Sequence, residues 1–323
     1  MKERSALRWL RPYFPALVMM ILLIVVFASG SPQFLTLRNF INILDQTAPM
    51  CILAIGLTFV VLCGNLDLSG GAVIAMVSVI CGILLKRGLP VPAVYLLALL
   101  LGAGIGLLNG ICVALLGISS FVLTIATQIM VRGGAMAISG GRTIYGLPEA
   151  FLLPGMGRIL NVPVSIPALA LLFLLSELVL RRTVFGYRIY AVGEDPKGAG
   201  RAGVKSHLVQ IECFVLAGVF YAFAAIILTG QLGAVVSSGA EGMEMTALSC
   251  LAIGGISLSG GQGNMIGTFL GCLIIGILSS GINMLNLSPY YTNVVRGMVI
   301  FGALLMEAVR ILLQRYRERE KNG

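Results

Sequence analysis

The chain has 323 residues, 58% hydrophobic and 11% charged, with a mean hydropathy of +0.99 and a formal net charge of +9. Soluble domains carry about 25% charged residues, and a water-facing surface of this size cannot stay dispersed on less than half of that. Composition therefore places the chain in a membrane. It excludes a disordered chain, a disulfide scaffold and a large extramembrane enzyme domain on a single anchor.

A helix needs about 20 residues to cross the hydrocarbon, where backbone groups must be satisfied internally. Apolar runs between polar breaks predict helices near 13–30, 46–63, 70–86, 92–115, 119–138, 164–181, 210–230, 246–258, 265–285 and 292–312. The fold class expected is thus all-α, a single transmembrane domain over 1–323 with about ten spans. The eighth run is too short for an ordinary span and reads as broken or partly re-entrant. The runs do not alternate apolar and polar residues, so a β-barrel is excluded.

Charge sets the expected orientation. With both termini cytoplasmic, 15 Lys and Arg fall inside and 5 outside (Arg38, Lys86, Arg87, Arg142 and Arg158), which satisfies the positive-inside rule. The net charge then requires no nucleic-acid partner. The first run is read as a span and not as a signal peptide, despite Ala28-Ser29-Gly30 resembling a cleavage site, because removing it reverses that orientation. Arg132 is expected to snorkel toward the outer surface. Glu241 and Glu244 are expected outside the membrane.

The seven cysteines lie in or beside apolar runs with no CxxC spacing and read as small packing residues. The single histidine, His207, lies in a basic loop, so no metal site is expected within the membrane. There is no GxxxxGK[ST] segment to cradle a nucleotide triphosphate. LSGGQ at 258–262 spells the signature of ABC-type ATPases, but without that segment it reads as a tight Gly-Ser turn between two runs.

Polar residues inside apolar runs carry the functional signal, since burying them unsatisfied is costly. Asn65, Asp67 and Ser69 lie in the break GNLDLSGG at 64–71. That break is either a capped turn or a discontinuous helix lining a solute path. Asn109 and Asn283 sit among small residues that let helices approach closely, or else face a polar lumen. Thr124, Thr127 and Gln128 share one face of the fifth span, as a pathway stripe or as hydroxyls bonded back to their own helix. In the loop after the sixth span, Asp195 suits an N-cap, Pro196 the first helical position and Gly203 the helix stop, predicting about two turns of helix. Such a helix either rests on anionic lipid or docks a partner protein.

Three stretches resemble one family. GNLDLSGG at 64–71, GYRIYAVGEDPKGAGRAG at 186–203 and GGISLSGGQGNMIGTFLG at 254–271 are similar, in order and spacing, to segments of the permease subunits of bacterial carbohydrate ABC importers, the group of ribose-type sugar permeases. The resemblance implies a bacterial inner-membrane subunit importing a monosaccharide. Its implied partners are a second permease chain, identical or paralogous, two cytoplasmic ABC ATPase subunits or one fused tandem ATPase, and an extracytoplasmic sugar-binding protein. No cofactor is implied for this chain, which is not itself an enzyme; ATP–Mg belongs to the ATPase. The implied coupling residues are Gly193, Glu194, Asp195, Pro196, Ala199, Arg201 and Gly203, within a cytoplasmic loop at 182–209. Glu194-Asp195 replaces the family's usual Gly-Asn, Gly198 and Gly200 replace Ala, and Gln262 replaces Arg. The alternative from the residues alone is an ion-coupled secondary transporter of a small polar solute using Asp67.

Overall fold

The structure, a computed structural model, describes residues 13–285 and positions 294, 297, 298, 301 and 302. The basic stretch at 1–12, most of the span expected at 292–312 and the basic tail lie outside the described residues. The order is α1 (Phe14–Gly30), α2 (Leu37–Leu62), α3 (Gly70–Lys86), α4 (Val91–Ala114), α5 (Ser120–Ser139), α6 (Glu149–Met156), β1 (Arg158–Ile159), β2 (Val162–Pro163), α7 (Ser165–Arg182), α8 (Val184–Glu194), α9 (Pro196–Arg201), α10 (Ser206–Leu232), α11 (Met243–Ile253) and α12 (Met265–Met284). The two strands form one antiparallel ribbon; otherwise the regular structure is helical. Five of the described helices, α2, α4, α5, α10 and α12, are long and apolar enough to cross a membrane.

Three boundaries depart from the sequence reading. The second helix begins at Leu37, well before 46, because Thr36 caps it by accepting from Asn39 N and Pro49 is tolerated within it. The eighth run holds an 11-residue helix, α11, followed by a turn through 254–264. At 1.5 Å per residue α11 covers about 16 Å, roughly half the hydrocarbon thickness. The loop after α7 contains α8 as well as the short helix expected after Asp195.

α10 is the hub, packing most extensively on α4 and α2. The contact with α4 is made by small residues. Val94, Ala98, Gly102, Gly106, Gly110 and Val113 form its buried stripe, while Leu96, Leu100 and Leu108 point outward. Lipid tails are as apolar as leucine, so large side chains gain nothing by turning inward, and close backbone packing holds the pair. A Cβ on Gly102 would overlap the Gly218 carbonyl, and one on Gly106 the Phe214 carbonyl.

Interhelical hydrogen bonds add specificity. Thr58 meets Thr268 at 2.7 Å between α2 and α12, and Thr229 Oγ1 donates to Ser78 Oγ at 2.9 Å between α10 and α3. Away from the 182–209 loop, Asp45 on α2 accepts from Ser165 at the start of α7, and from Gln231 Nε2 at 3.1 Å. Each such bond contributes about 0.6 kcal/mol in a membrane. The helix-packing account predicts that Gly106→Leu forces α4 from α10 and lowers the thermal midpoint in detergent. Gly104→Ala, with nothing within 4 Å of its new methyl, should leave the midpoint unchanged or slightly raised.

Candidate functional site

The break between α2 and α3 is where the sequence placed its first polar cluster. Asn65, Asp67, Leu68 and Ser69 are all buried, so their amides need partners that water cannot supply. Asn65 N donates to Val60 O at 3.1 Å, and Ser69 N to Asp67 Oδ1 at 2.9 Å. The start of α5 supplies two more partners: Leu66 N donates to Ser120 Oγ and Leu68 N to Thr124 Oγ1, both at 3.1 Å. Thr124 also donates back to Ser120 O at 2.8 Å, so it serves its own helix and the break together.

Four of the predicted pathway residues then form one relay. Thr127 Oγ1 donates to Asn109 Oδ1 (2.7 Å), Asn109 Nδ2 to Ser69 Oγ (3.1 Å), and Ser69 Oγ to Asp67 Oδ1 (2.6 Å). Tyr221 Oη completes it by donating to Asp67 Oδ2 at 3.2 Å. The carboxyl thus accepts from three groups and ties α3, α4, α5 and α10 to the break. Asn283 lies apart. It lines a cavity of about 320 Å³ between α2, α11 and α12, with Gln46, Glu241 and Thr246.

Two charged residues are less exposed to solvent than the sequence suggests. Glu244, expected outside, is 2% exposed at the first turn of α11. Its Oε1 accepts from Gln128 Nε2 at 2.6 Å, and its Oε2 lies against Gly71, where any Cβ would overlap it. Arg132, expected to snorkel outward, has both terminal nitrogens sealed from solvent. The segment 233–242, between α10 and α11, explains the first correction. It pairs Val235 with Ile144, then turns back to bury Ala240 and Glu244 against α3. The only sequence signal for this was the short eighth run itself.

At the 182–209 loop three separate segments meet. Gly261 N donates to Leu62 O at 2.9 Å, joining the turn after α11 to the end of α2. Gly193, near the end of α8, packs into the same point. A Cβ there would overlap the Leu62 carbonyl and stand 2.6 Å from Gly261 N. Gly260, at φ +95°, leaves no room either, since its Cβ would lie 2.6 Å from Gly64 Cα. Tyr190 Oη donates to Gly263 O at 2.9 Å, and burial pushes its phenol up to about 12, which keeps it a donor. The three stretches that resemble the sugar permeases are therefore one junction.

A profile described as branched-chain amino acid transport system / permease component matches residues 39–304. The chain belongs to this permease family. It is similar to the ribose import permease protein RbsC of Bacillus subtilis (strain 168), 36% identical over 288 residues, 88% of this chain and 89% of that one. RbsC of Escherichia coli (strain K12) is 33% identical over 296 residues, 90% and 92% of the two chains. The autoinducer 2 import system permease protein LsrC of Salmonella choleraesuis (strain SC-B67) is 33% identical over 313 residues, 95% and 88%. No solved structure matches the chain.

In this permease the implied coupling residues divide between junction and surface. Asp195 caps α9 by accepting from Lys197 N at 3.0 Å, Pro196 opens that helix, and Gly203 follows it at φ +85°. Glu194, Asp195, Pro196, Arg201 and Gly203 are exposed, Gly193 sits in the junction, and Ala199 is buried within the chain. Gly200 has open space around it, whereas a methyl on Gly198 would meet the Asp195 carboxylate that caps the helix. Helix α8, which the sequence reading left as loop, presents Val184, Tyr187 and Arg188 outward. Substitution separates the roles. Tyr190→Phe should cost about 1 kcal/mol of stability. Gly193→Ala should cost about 1–3 kcal/mol, because neither backbone neighbour can yield. Thermal unfolding of the detergent-purified chain measures both.

Proposed function

We propose that the chain is the transmembrane permease subunit of an ATP-driven importer that moves a monosaccharide of the pentose or hexose class across the bacterial inner membrane. About ten spans with both termini cytoplasmic is the arrangement adopted here, and it puts the 182–209 loop inside. Beside this chain stand a second permease chain, two ABC ATPase subunits or one fused tandem ATPase, and an extracytoplasmic sugar-binding protein. ATP–Mg is held and hydrolysed by the ATPase, since this sequence has no Walker A segment. The relatives' printed substrates, ribose and autoinducer 2, favour a small hydroxylated solute.

One observation carries the reading: an exposed helical surface, α8 and α9, seated directly on the junction that ends α2 and holds the break. A force on that surface reaches Asp67 through backbone contacts alone, with Gly193 on Leu62 and Gly261 as the first link. The substrate pathway proposed from Asn65, Asp67, Ser69, Asn109, Thr124, Thr127, Gln128 and Asn283 then divides into two parts. Asn283 lines the cavity, and the others hold the wall that must move.

Tyr187, 68% exposed on α8, provides the test. Tyr187→Glu should leave the chain folded yet reduce co-purifying ATPase at least about tenfold, a loss of roughly 1.4 kcal/mol in docking. Ala199→Glu should instead unfold the loop, because Ala199 packs inward. In vesicles the complete importer should take up D-ribose only with ATP, and the purified chain alone should hydrolyse none. Uptake driven by a proton or sodium gradient without ATP would support the secondary transporter and contradict this reading.

A further inference from the structure

Glu244 and Arg132 have no part in the relay or the junction, and their polar atoms are incompletely used. Glu244 Oε1 is satisfied by Gln128, but its Oε2 has no hydrogen-bond partner among the described residues; neither do Nη1 and Nη2 of Arg132. All three atoms are shielded from solvent. Gln128 and Arg132 stand four apart on α5, hence on one face and about 6 Å apart along the axis. The guanidinium therefore stands one turn from the side chain that holds the Glu244 carboxylate, yet the two form no ion pair among the described residues.

Unpaired charge inside a membrane protein is costly and marks a function by default. Here the cost is moderated because the two charges oppose each other, and the slot beside Gly71 exists to hold the carboxylate: any side chain at 71 would fill it. Between them the groups offer one open acceptor oxygen and a fork of N–H donors. That is the complement of a diol, whose hydroxyls donate to a carboxylate and accept from a guanidinium. A neutral polyol also leaves the balance of charge undisturbed, whereas a zwitterionic amino acid must shed water from two full charges to enter.

We propose that Glu244 and Arg132, with Gln128 positioning the carboxylate, form the solute-contacting site of the membrane pathway and recognise hydroxyl groups of a neutral polyol. This rests on the importer reading above and names the residues that meet its cargo. The site is closed in this conformation, since its atoms are sealed. It is bounded by α5 and α11, and α11 is a half-length helix joined to the coupling junction by the turn at 254–264, so movement at the junction is what opens it.

The test uses the complete importer with its ATPase and binding protein in vesicles, and measures D-ribose moved per ATP hydrolysed. L-leucine is tried first in parallel on the wild type. Leucine uptake without ribose uptake overturns the importer's sugar reading and this site with it, before any variant is made. Given ribose uptake, Glu244→Gln and Arg132→Gln should each lower sugar moved per ATP at least tenfold, and Glu244→Asp should lower it less. The Asp variant keeps the test open should either Gln variant fail to co-purify with the ATPase. A ratio within twofold of wild type in an assembled Gln variant, or in Glu244→Asp where neither Gln variant assembles, overturns the proposal. So does recovery of the ratio in the charge-swapped Arg132→Glu, Glu244→Arg double variant, because the two would then serve only each other.

Discussion

Inside a membrane there is no water to satisfy a backbone amide, and the break at 64–69 is where this chain meets that constraint. A helix would satisfy these amides internally. Here the start of α5 serves two of them, Leu66 and Leu68, with the hydroxyls of Ser120 and Thr124, while Asp67 closes the last turn onto Ser69. The arrangement fixes where α5 must lie, and Thr127, one turn on, reaches Asn109 on α4. Tyr221 brings in α10, whose glycine contact with α4 then sets the spacing of the bundle. Removing the Asp67 carboxylate would leave three buried donors, Ser69 N, Ser69 Oγ and Tyr221 Oη, unsatisfied, each at a cost of about 1–3 kcal/mol.

The same break explains why the proposed coupling surface lies where it does. Non-helical backbone ends abruptly, and the end of α2 at Leu62 leaves a free carbonyl that Gly261 N–H satisfies. Only glycines allow α8 and the 254–264 turn to come that close. The LSGGQ pentapeptide is thus a packing device: its second glycine bonds to α2, and its first lies on Gly64. The three stretches that carry the resemblance are built against each other.

Much of this was legible in the sequence, for identifiable reasons. Apolar run length located the long helices, five of which are long and apolar enough to cross a membrane, since the hydrocarbon imposes a length. The N-cap at Asp195, the first-turn Pro196 and the stop at Gly203 are local signals, and each stands where it was expected. The polar residues of the break, α4 and α5 were recognisable as a group because polarity in an apolar run is conspicuous. Their mutual bonding was not, because Thr127, Asn109 and Ser69 are distant in sequence and meet only through packing. Glu244 was placed outside because a carboxylate flanked by Glu241 and glycines looks solvated; its burial depends on the missing side chain at Gly71. Helix α8 was missed because its capping threonine, Thr183, follows α7 directly and leaves no composition change to mark a boundary.

The central claim is that α8, the end of α2 and the 254–264 turn move as one body, so that motion at the coupling surface is delivered to the break and to α11. Spin labels at Arg188 on exposed α8 and at Leu258 on the turn measure this in the assembled importer by electron-spin distance spectroscopy. The account predicts the same distance with ATP bound and with nucleotide removed. A shift of a helical turn, about 5.4 Å, between the two states would contradict it, since the junction would then be a sliding contact and not a rigid link.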